Sequence, residues 1–482
     1  MSTQRYSSRI ARRSALALSV GLGLCAGSAW ATHGMNLDAY GARAGGMGGA
    51  SFAYDSGNSA VMNNPATLGL REGTRNDLGV GLSVLSPRVS SYHPMAGSVG
   101  SSGTNYYMPS ISFIRTQDRF SFGAAMNAQG GMGTEYGAGS SLFAGGMSMM
   151  GKMAMLSGEE VRSELSVGRL MFPLAYKVND RLSVAAQLDF VWAGLDLKMD
   201  MDGRSFGSMV QSGRASGSMV NAFQGAMQQG MVRDVNYARF DFSDSSDFTG
   251  KANNTGFAGK LGLVFKASDR ISIGATYHSK TKLGDLEAGG STVTMGVDTP
   301  MGAMAIPVTG TVKLIDFQWP ETYGVGVAFQ ATDRLMLVAD IKQLKWSKTM
   351  ENFVLGFTAD AAQGNPMAAG FGGTSMTASM AQNWDDQTVF AFGGEYKLMD
   401  NLALRAGFSL TDNPIPDSTL NPLFPAITKN HMTLGLGYRF NKAHSLAAAV
   451  SYAPRVQQTN SENGITSSHS QTNWRINYNY TF

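Results

Sequence analysis

The last ten residues, Asn473–Phe482, read N-W-R-I-N-Y-N-Y-T-F. Trp474, Ile476, Tyr478, Tyr480 and Phe482 share one parity, and Asn473, Arg475, Asn477, Asn479 and Thr481 share the other. A strand sends successive side chains to opposite faces, so this is an apolar, mostly aromatic face backed by a polar one. The apolar face persists to the final residue, although chain ends usually fray into water. An edge strand of a soluble sandwich is one solution. A closed barrel in a lipid bilayer is the better one: its last strand pairs with its first, and aromatic side chains sit at the membrane interface.

The same alternation recurs along the chain, between short polar turns. T-Q-D-R (116–119), V-N-D-R (178–181), A-S-D-R (267–270), A-T-D-R (331–334) and L-M-D-N (398–401) are followed by a looser F-N-K-A-H (440–444). Tyr176, Phe265, Phe329 and Tyr396 each stand four residues before the turn Asp, as a belt at one interface would. Six tight turns join twelve strands. One more strand at about 76–86 and the terminal one bring the expectation to about 14, an even number that closes an antiparallel sheet. The other connections are long: about 87–105, 132–161, 199–252, 286–318, 347–385, 413–429 and 456–469. Short turns on one side and long loops on the other place the tight turns and both barrel ends at the periplasm.

Composition agrees. In 482 residues, 43% are hydrophobic, only 15% are charged, and mean hydropathy is −0.10. No apolar run is long enough for a membrane-spanning helix. The N-terminus carries Arg5, Arg9, Arg12 and Arg13, an apolar stretch Ala15–Leu24, and Ala29-Trp30-Ala31. That is the pattern of a secretory leader, 1–31, cleaved after Ala31. Arg12-Arg13 is a weak twin-arginine match. Cys25 is the only cysteine, and Leu24 before it disfavours lipidation, so the mature chain holds no disulfide. Without the four leader arginines, 34 basic residues face 35 acidic ones. Nothing in that balance asks for nucleic acid.

Residues 32–75 are rich in Gly and Ala and lack a long alternating run, yet Met35, Leu37, Tyr40, Met47, Phe52, Met62 and Leu68 are too apolar for a free tail. The segment is expected to fold inside something else, with Asn64-Pro65-Ala66 as a fixed turn. The barrel proper then runs 76–482. In the long loops, Met147, Met149, Met150, Met153 and Met155 crowd together, and Met219, Phe223, Met227 and Met231 recur every four residues. Such thioether-rich surface adapts to varied apolar ligands or simply packs the loops; Met147, Met150, Met219, Phe223 and Met227 are the candidate contacts. Copper binding lacks supporting Cys or clustered His, so no metal and no cofactor are expected. Histidines are scattered, and no nucleophile-elbow, zinc-protease or phosphate-loop motif occurs, so no catalytic residue is assigned.

G-M-G-G-A-S-F-A-Y-D (46–55) and N-N-P-A-T-L (63–68) resemble the FadL/TodX family of outer-membrane transporters for long-chain fatty acids and other hydrophobic compounds. D-F-Q-W-P-E-T-Y-G-V-G-V-A (316–328) and R-A-G-F-S-L-T-D-N-P-I-P (405–416) support the likeness, which spans essentially the mature chain. The resemblance implies a fourteen-stranded barrel in a Gram-negative outer membrane, plugged by an N-terminal hatch at 32–75. It implies capture of ligand in an apolar groove among the extracellular loops and passive lateral release beside a kinked third strand. Here that strand is about 120–131, with Gly130-Gly131 as the kink. Implied partners are hydrophobic small molecules, outer-membrane lipid and lipopolysaccharide, and the barrel-assembly machinery through the C-terminal strand. The loops are richer in Met and Gly than the family leads one to expect, which leaves fatty acid, alkane and aromatic ligands open. Lateral release suits any of them, because each buried CH₂ contributes about 0.8 kcal/mol that an aqueous pore forfeits. A general porin would line its lumen with charge, and an outer-membrane hydrolase would need a base and nucleophile at the rim.

Strand parity turns Lys260, Lys342 and Arg405 inward. Each is a candidate for an acidic ligand head group. The alternative is a structural ion pair with a lumen carboxylate such as Asp340 or Glu395.

Overall fold

In the computed structural model, residues 33–245 and 250–482 are described; the expected leader lies outside them. The strands Arg75–His93, Tyr106–Gln117, Phe120–Tyr136, Val161–Lys177, Leu182–Asp202, Ala252–Lys266, Ile271–His278, Thr322–Gln330, Leu335–Leu344, Gln387–Met399, Leu402–Thr411, His431–Arg439, His444–Thr459 and Thr466–Thr481 each pair antiparallel with the next. The last pairs with the first along its length, from Asp77↔Thr481 to Tyr92↔Thr466, so fourteen strands close a ring. Asn76 and Phe482 exchange both backbone hydrogen bonds at the seam, at 2.8 and 2.9 Å. The terminal Phe is thus held in the sheet.

Outward-facing Trp474 and Ile476, Leu434, Leu261 and Val325 are about half exposed, an apolar belt that only lipid would cover. Four of the six tight turns share one piece of chemistry. The side chain before the turn Asp accepts from backbone N–H groups after it. Asn179 Oδ1 takes Arg181 and Leu182, Ser268 Oγ takes Arg270 and Ile271, and Thr332 Oγ1 takes Arg334 and Leu335. Asn441 does the same in the looser sixth copy. These are the side-chain-to-backbone turns that Asn, Ser and Thr favour.

Residues 33–74 lie inside the ring and bond to strands all round it. Arg43 forms a bidentate pair with Glu395, at 3.0 and 2.7 Å. Gly48 N–H donates to Thr433 Oγ1, and Ser51 and Phe52 N–H groups donate to Asp340. Ser121, Ser183 and Gln187 donate to the carbonyls of Leu68, Ala66 and Val61. Gly48, at φ +68°, sits so close to the wall that a Cβ there would lie 2.4 Å from the Phe408 carbonyl. That contact explains glycine in the G-M-G-G run. Asn64 caps the short helix Pro65–Leu70: its Oδ1 accepts from Ala66 N–H at 3.1 Å, and its Nδ2 donates to the carbonyls of Phe52 and Leu263.

Above the ring the long connections hold more strand than expected. The hydrogen-bonded sheet has 22 strands, eight more than the ring. The far end of Leu182–Asp202 rises past its neighbour and pairs with Asp234–Phe242, followed by the hairpin Leu286–Thr299 and Gly302–Ile315, then Asn352–Ala359 and Ser375–Ala381. The stretch 286–318 is thus a hairpin, not a plain connection, because Val293, Met295, Val297, Val308, Val312 and Leu314 alternate into a buried core of loop residues.

Candidate functional site

Two apolar spaces and one gap in the wall define the site. The gap lies between the second and third strands. Tyr106–Pro109 pair with Leu82–Leu85 of the first strand, but the ladder between strands two and three stops at Ser110↔Asn127. Past that point Phe120–Tyr136 carries a register shift between Ala128 and Gly130 against its other neighbour. The hatch takes up the freed edge. Gly131 N–H donates to the Met35 carbonyl at 3.0 Å, Leu37 N–H donates to the Gln129 carbonyl, and Asn36 bridges Gly130. A Cβ on Gly130 would lie 2.2 Å from the Met35 carbonyl, so only glycine admits the hatch there. Ser102 N–H to the Glu135 carbonyl rejoins the two sides at 2.9 Å and bounds the window.

A cavity of about 300 Å³ runs behind this window. Leu85, Val89, Met132, Leu165, Val167 and Trp192 give it apolar walls, Met35 and Leu37 of the hatch close one side, and Tyr107, more than half exposed, marks the outer rim. No Lys or Arg lines it. His469 and Gln471 reach it from the last strand. A second space, about 340 Å³, lies in the loops between the helices Gly203–Gln211 and Ser218–Gln228. Phe206, Val210, Val220, Phe223 and Met227 line it, together with Met149.

The sequence candidates distribute as follows. Phe223 and Met227 face the loop groove, and Phe223 stacks on Phe371 at 4.4 Å. Met219 is fully buried in the loop core. Met147 lies in a small ribbon that pairs Gly145–Met147 with Met153–Met155, and Met150 at its tip is exposed; neither lines the groove, where Met149 stands instead. Alternation within a three-residue ribbon is set by its turn, which local spacing did not reveal. Lys260 is buried, with Nζ 2.7 Å from the Val61 carbonyl of the hatch and 3.7 Å from Asp189, which Arg169 also holds at 2.7 Å. Lys342 Nζ donates to His33 Nδ1 at 3.0 Å. Arg405 Nε donates to Glu395 at 2.6 Å. All three bases face inward, and each meets the hatch or its ion-pair network. Asn64-Pro65-Ala66 and Gly130-Gly131 occupy the hatch turn and the window described above. Sequence alone assigns neither His469 nor Trp192 to a site, although 469 and 471 continue the polar parity of Asn473 and Arg475. Among the described residues, no group of His, Cys, Asp and Glu side chains is arranged to hold a metal ion.

A family model described as "Outer membrane protein transport protein (OMPP1/FadL/TodX)" matches residues 22–481. The chain belongs to this family. The FadL/TodX likeness extends to solved structures. The toluene transporter TodX of P. putida is 28% identical, with 93% of this chain and 99% of that one covered and a TM-score of 0.75. The toluene transporter TbuX of Ralstonia pickettii is 30% identical over 93% and 99%, with a TM-score of 0.73. Among curated relatives, a 47 kDa outer membrane protein of Pasteurella multocida is 26% identical over 238 residues, which is 47% of this chain and 50% of that one. The chain spans about half or less of the length of the curated relatives it matches. Like its family, this chain is a β-barrel of the outer membrane of Gram-negative bacteria.

Proposed function

We propose that the protein passively carries small hydrophobic molecules across the outer membrane, with monoaromatic hydrocarbons fitting better than long-chain fatty acids. Ligand settles in the Phe223–Met227 groove, passes to the cavity behind the window, and leaves sideways between the second and third strands into the bilayer. The observation that carries this reading is the cavity itself. It is apolar, it opens at an unpaired stretch of wall, and it holds no cation. A carboxylate brought there would be desolvated without a partner, at a cost of several kcal/mol. The three inward bases that would have met it are engaged elsewhere. The volume, about 300 Å³, sits at the lower end of small-molecule sites and favours a compact ring over a long chain. The toluene transporters TodX and TbuX, alike in fold and about equally similar in sequence, support the same reading.

The test is flux into proteoliposomes. Toluene entry should exceed that of protein-free vesicles and should resist competition by oleate. Saturable oleate uptake that toluene does not block would overturn the aromatic preference and restore the fatty-acid reading.

A further inference from the structure

His469 is 4% exposed and forms part of the wall of the cavity behind the window, and its Nε2, with Gln471 the nearest polar side chain on the same face, makes no hydrogen bond of good geometry. Its other nitrogen, Nδ1, lies 2.8 Å from the Pro425 carbonyl. A carbonyl only accepts, so Nδ1 carries the proton. No carboxylate is bonded to either nitrogen, and with the Nδ1 proton given to Pro425, Nε2 is the ring's acceptor, with its lone pair directed at the cavity wall. Three other polar side chains of the cavity wall are engaged. Asn36 Oδ1 accepts from Tyr40 and Trp319, Gln471 donates to Asn473, and Thr134 donates to the Leu423 carbonyl at 3.1 Å. One buried acceptor therefore lacks a hydrogen bond in a chamber whose walls are mostly apolar. A buried acceptor in that state favours any occupant that brings a donor.

We propose that His469 sets a specificity within the hydrophobic class: the cavity takes compact apolar molecules that carry one hydroxyl, phenols above all, with the O–H donating to Nε2. A bare hydrocarbon fits the walls but leaves Nε2 unpaired. A carboxylate brings only acceptors against that lone pair and is repelled. A phenol satisfies both the walls and the nitrogen. A site built to bond a hydroxyl discriminates strongly against the analogue that lacks it, because its own polar group is then stranded. The assignment rests on the transport reading above and narrows its substrate class.

The decisive comparison uses isomers. p-Cresol and anisole have the same formula and nearly the same size, but only p-cresol donates a hydrogen bond. Calorimetric titration of the purified full-length protein in detergent should show p-cresol binding roughly three- to tenfold more tightly than anisole. In His469→Phe that ratio should fall to about one, with p-xylene affinity held or raised. Equal affinity for p-cresol and anisole in the unaltered protein would mean that water already satisfies Nε2, or that ligand does not reach it, and would overturn the inference while leaving the transport reading intact. Failure of all three ligands to bind would sink that reading and the inference with it. Should the variant fail to assemble, judged by loss of heat-modifiable gel mobility, nitrogen NMR of the unaltered protein decides. The His469 Nε2 resonance should move with p-cresol and not with anisole, and an unmoved resonance refutes the proposal.

Discussion

Asp38 is the hatch residue whose removal should tell most. It is 3% exposed, and its Oδ1 accepts from Asn473 Nδ2 at 2.9 Å and from Arg475 Nη2, both on the last strand. The Arg475 side chain is wholly buried. Its other hydrogen bond, at 3.1 Å, goes to the neutral Ser451 hydroxyl, and its Nε is unpartnered. Asp38→Ala therefore strands a guanidinium with no carboxylate bonded to it. Breaking one side of such a buried pair costs about 3–5 kcal/mol, so hatch release should become more frequent by roughly two to three and a half orders of magnitude. Single-channel recording in planar bilayers would read this as a rise in the open fraction. The reasoning makes a second demand. If the penalty comes from the orphaned charge, Asp38→Ala combined with Arg475→Met should recover most of the docking, because removing both partners leaves no uncompensated charge. A silent Asp38→Ala, or a double variant as open as the single one, would refute the account.

Acid should loosen the hatch through His33. Burial first, and then Lys342 and His431, hold the docked His33 ring well below its ordinary 6.5. A released ring takes up a proton below about 6.5, so docking is at full strength above that value and weakens as pH falls beneath it. Burial opposes ionisation of Asp38, but Arg475, with His431 and His33, outweighs it and keeps the carboxyl well below its ordinary 3.8, so Asp38 adds no pH dependence in this window. Channel opening at pH 5 should exceed that at pH 7.5, and His33→Gln should flatten the difference; an unchanged profile would contradict it. Gly130→Val should force Met35 and the strand apart and speed amide exchange at Met35–Leu37, which hydrogen-exchange mass spectrometry can follow; retained protection would show that the approach is loose. Changing Lys260, Lys342 or Arg405 to Met should lower hatch protection without altering the ratio of fatty-acid to alkane binding, and selective loss of the acid at one position would make that residue a head-group site. Phe223→Ala, by removing a ring stacked on Phe371, should weaken toluene capture several-fold while the barrel's melting temperature holds.

What was legible in the sequence was local. Trp474, Ile476, Tyr478 and Tyr480 declare a lipid-facing strand without help from any other segment, and Asn179 or Ser268 specifies a turn with atoms only two or three residues away. The inward direction of Lys260 and Arg405 followed from parity, and so did Glu395 as a lumen carboxylate, which stands directly opposite Arg405 across a tight hairpin; the Val61 carbonyl did not, because it meets Lys260 only after the hatch has entered the ring. The loops hid more. Val293–Val297 alternate as clearly as any barrel strand, yet nothing in their own residues says that they rise above the membrane to continue the upper end of Leu182–Asp202. The aromatic contacts Trp319–Trp346 and Trp346–Trp384, at 5.5 and 5.3 Å, join loops far apart in sequence. His469 closes the stretch 456–469, which reads from sequence as a connection, so its polar phase carries no signal there.

The inner face of the last strand has a consequence for how the protein is made. Asn473, Arg475 and Asn477 hold Asp38 and Ala42, residues that lie before the first strand, while the outer face of the same strand closes the wall. The stopper's seat and the seam of the vessel are therefore the same strand. A chain whose last strand is not in place lacks the partners of Asp38 and Ala42, although His33, Met35 and Arg43 can still meet Lys342, Gly131 and Glu395, and placing that strand seals the wall and completes the stopper's seat together. A truncation that removes this strand's inner-face contacts should leave cells permeable rather than merely transport-deficient.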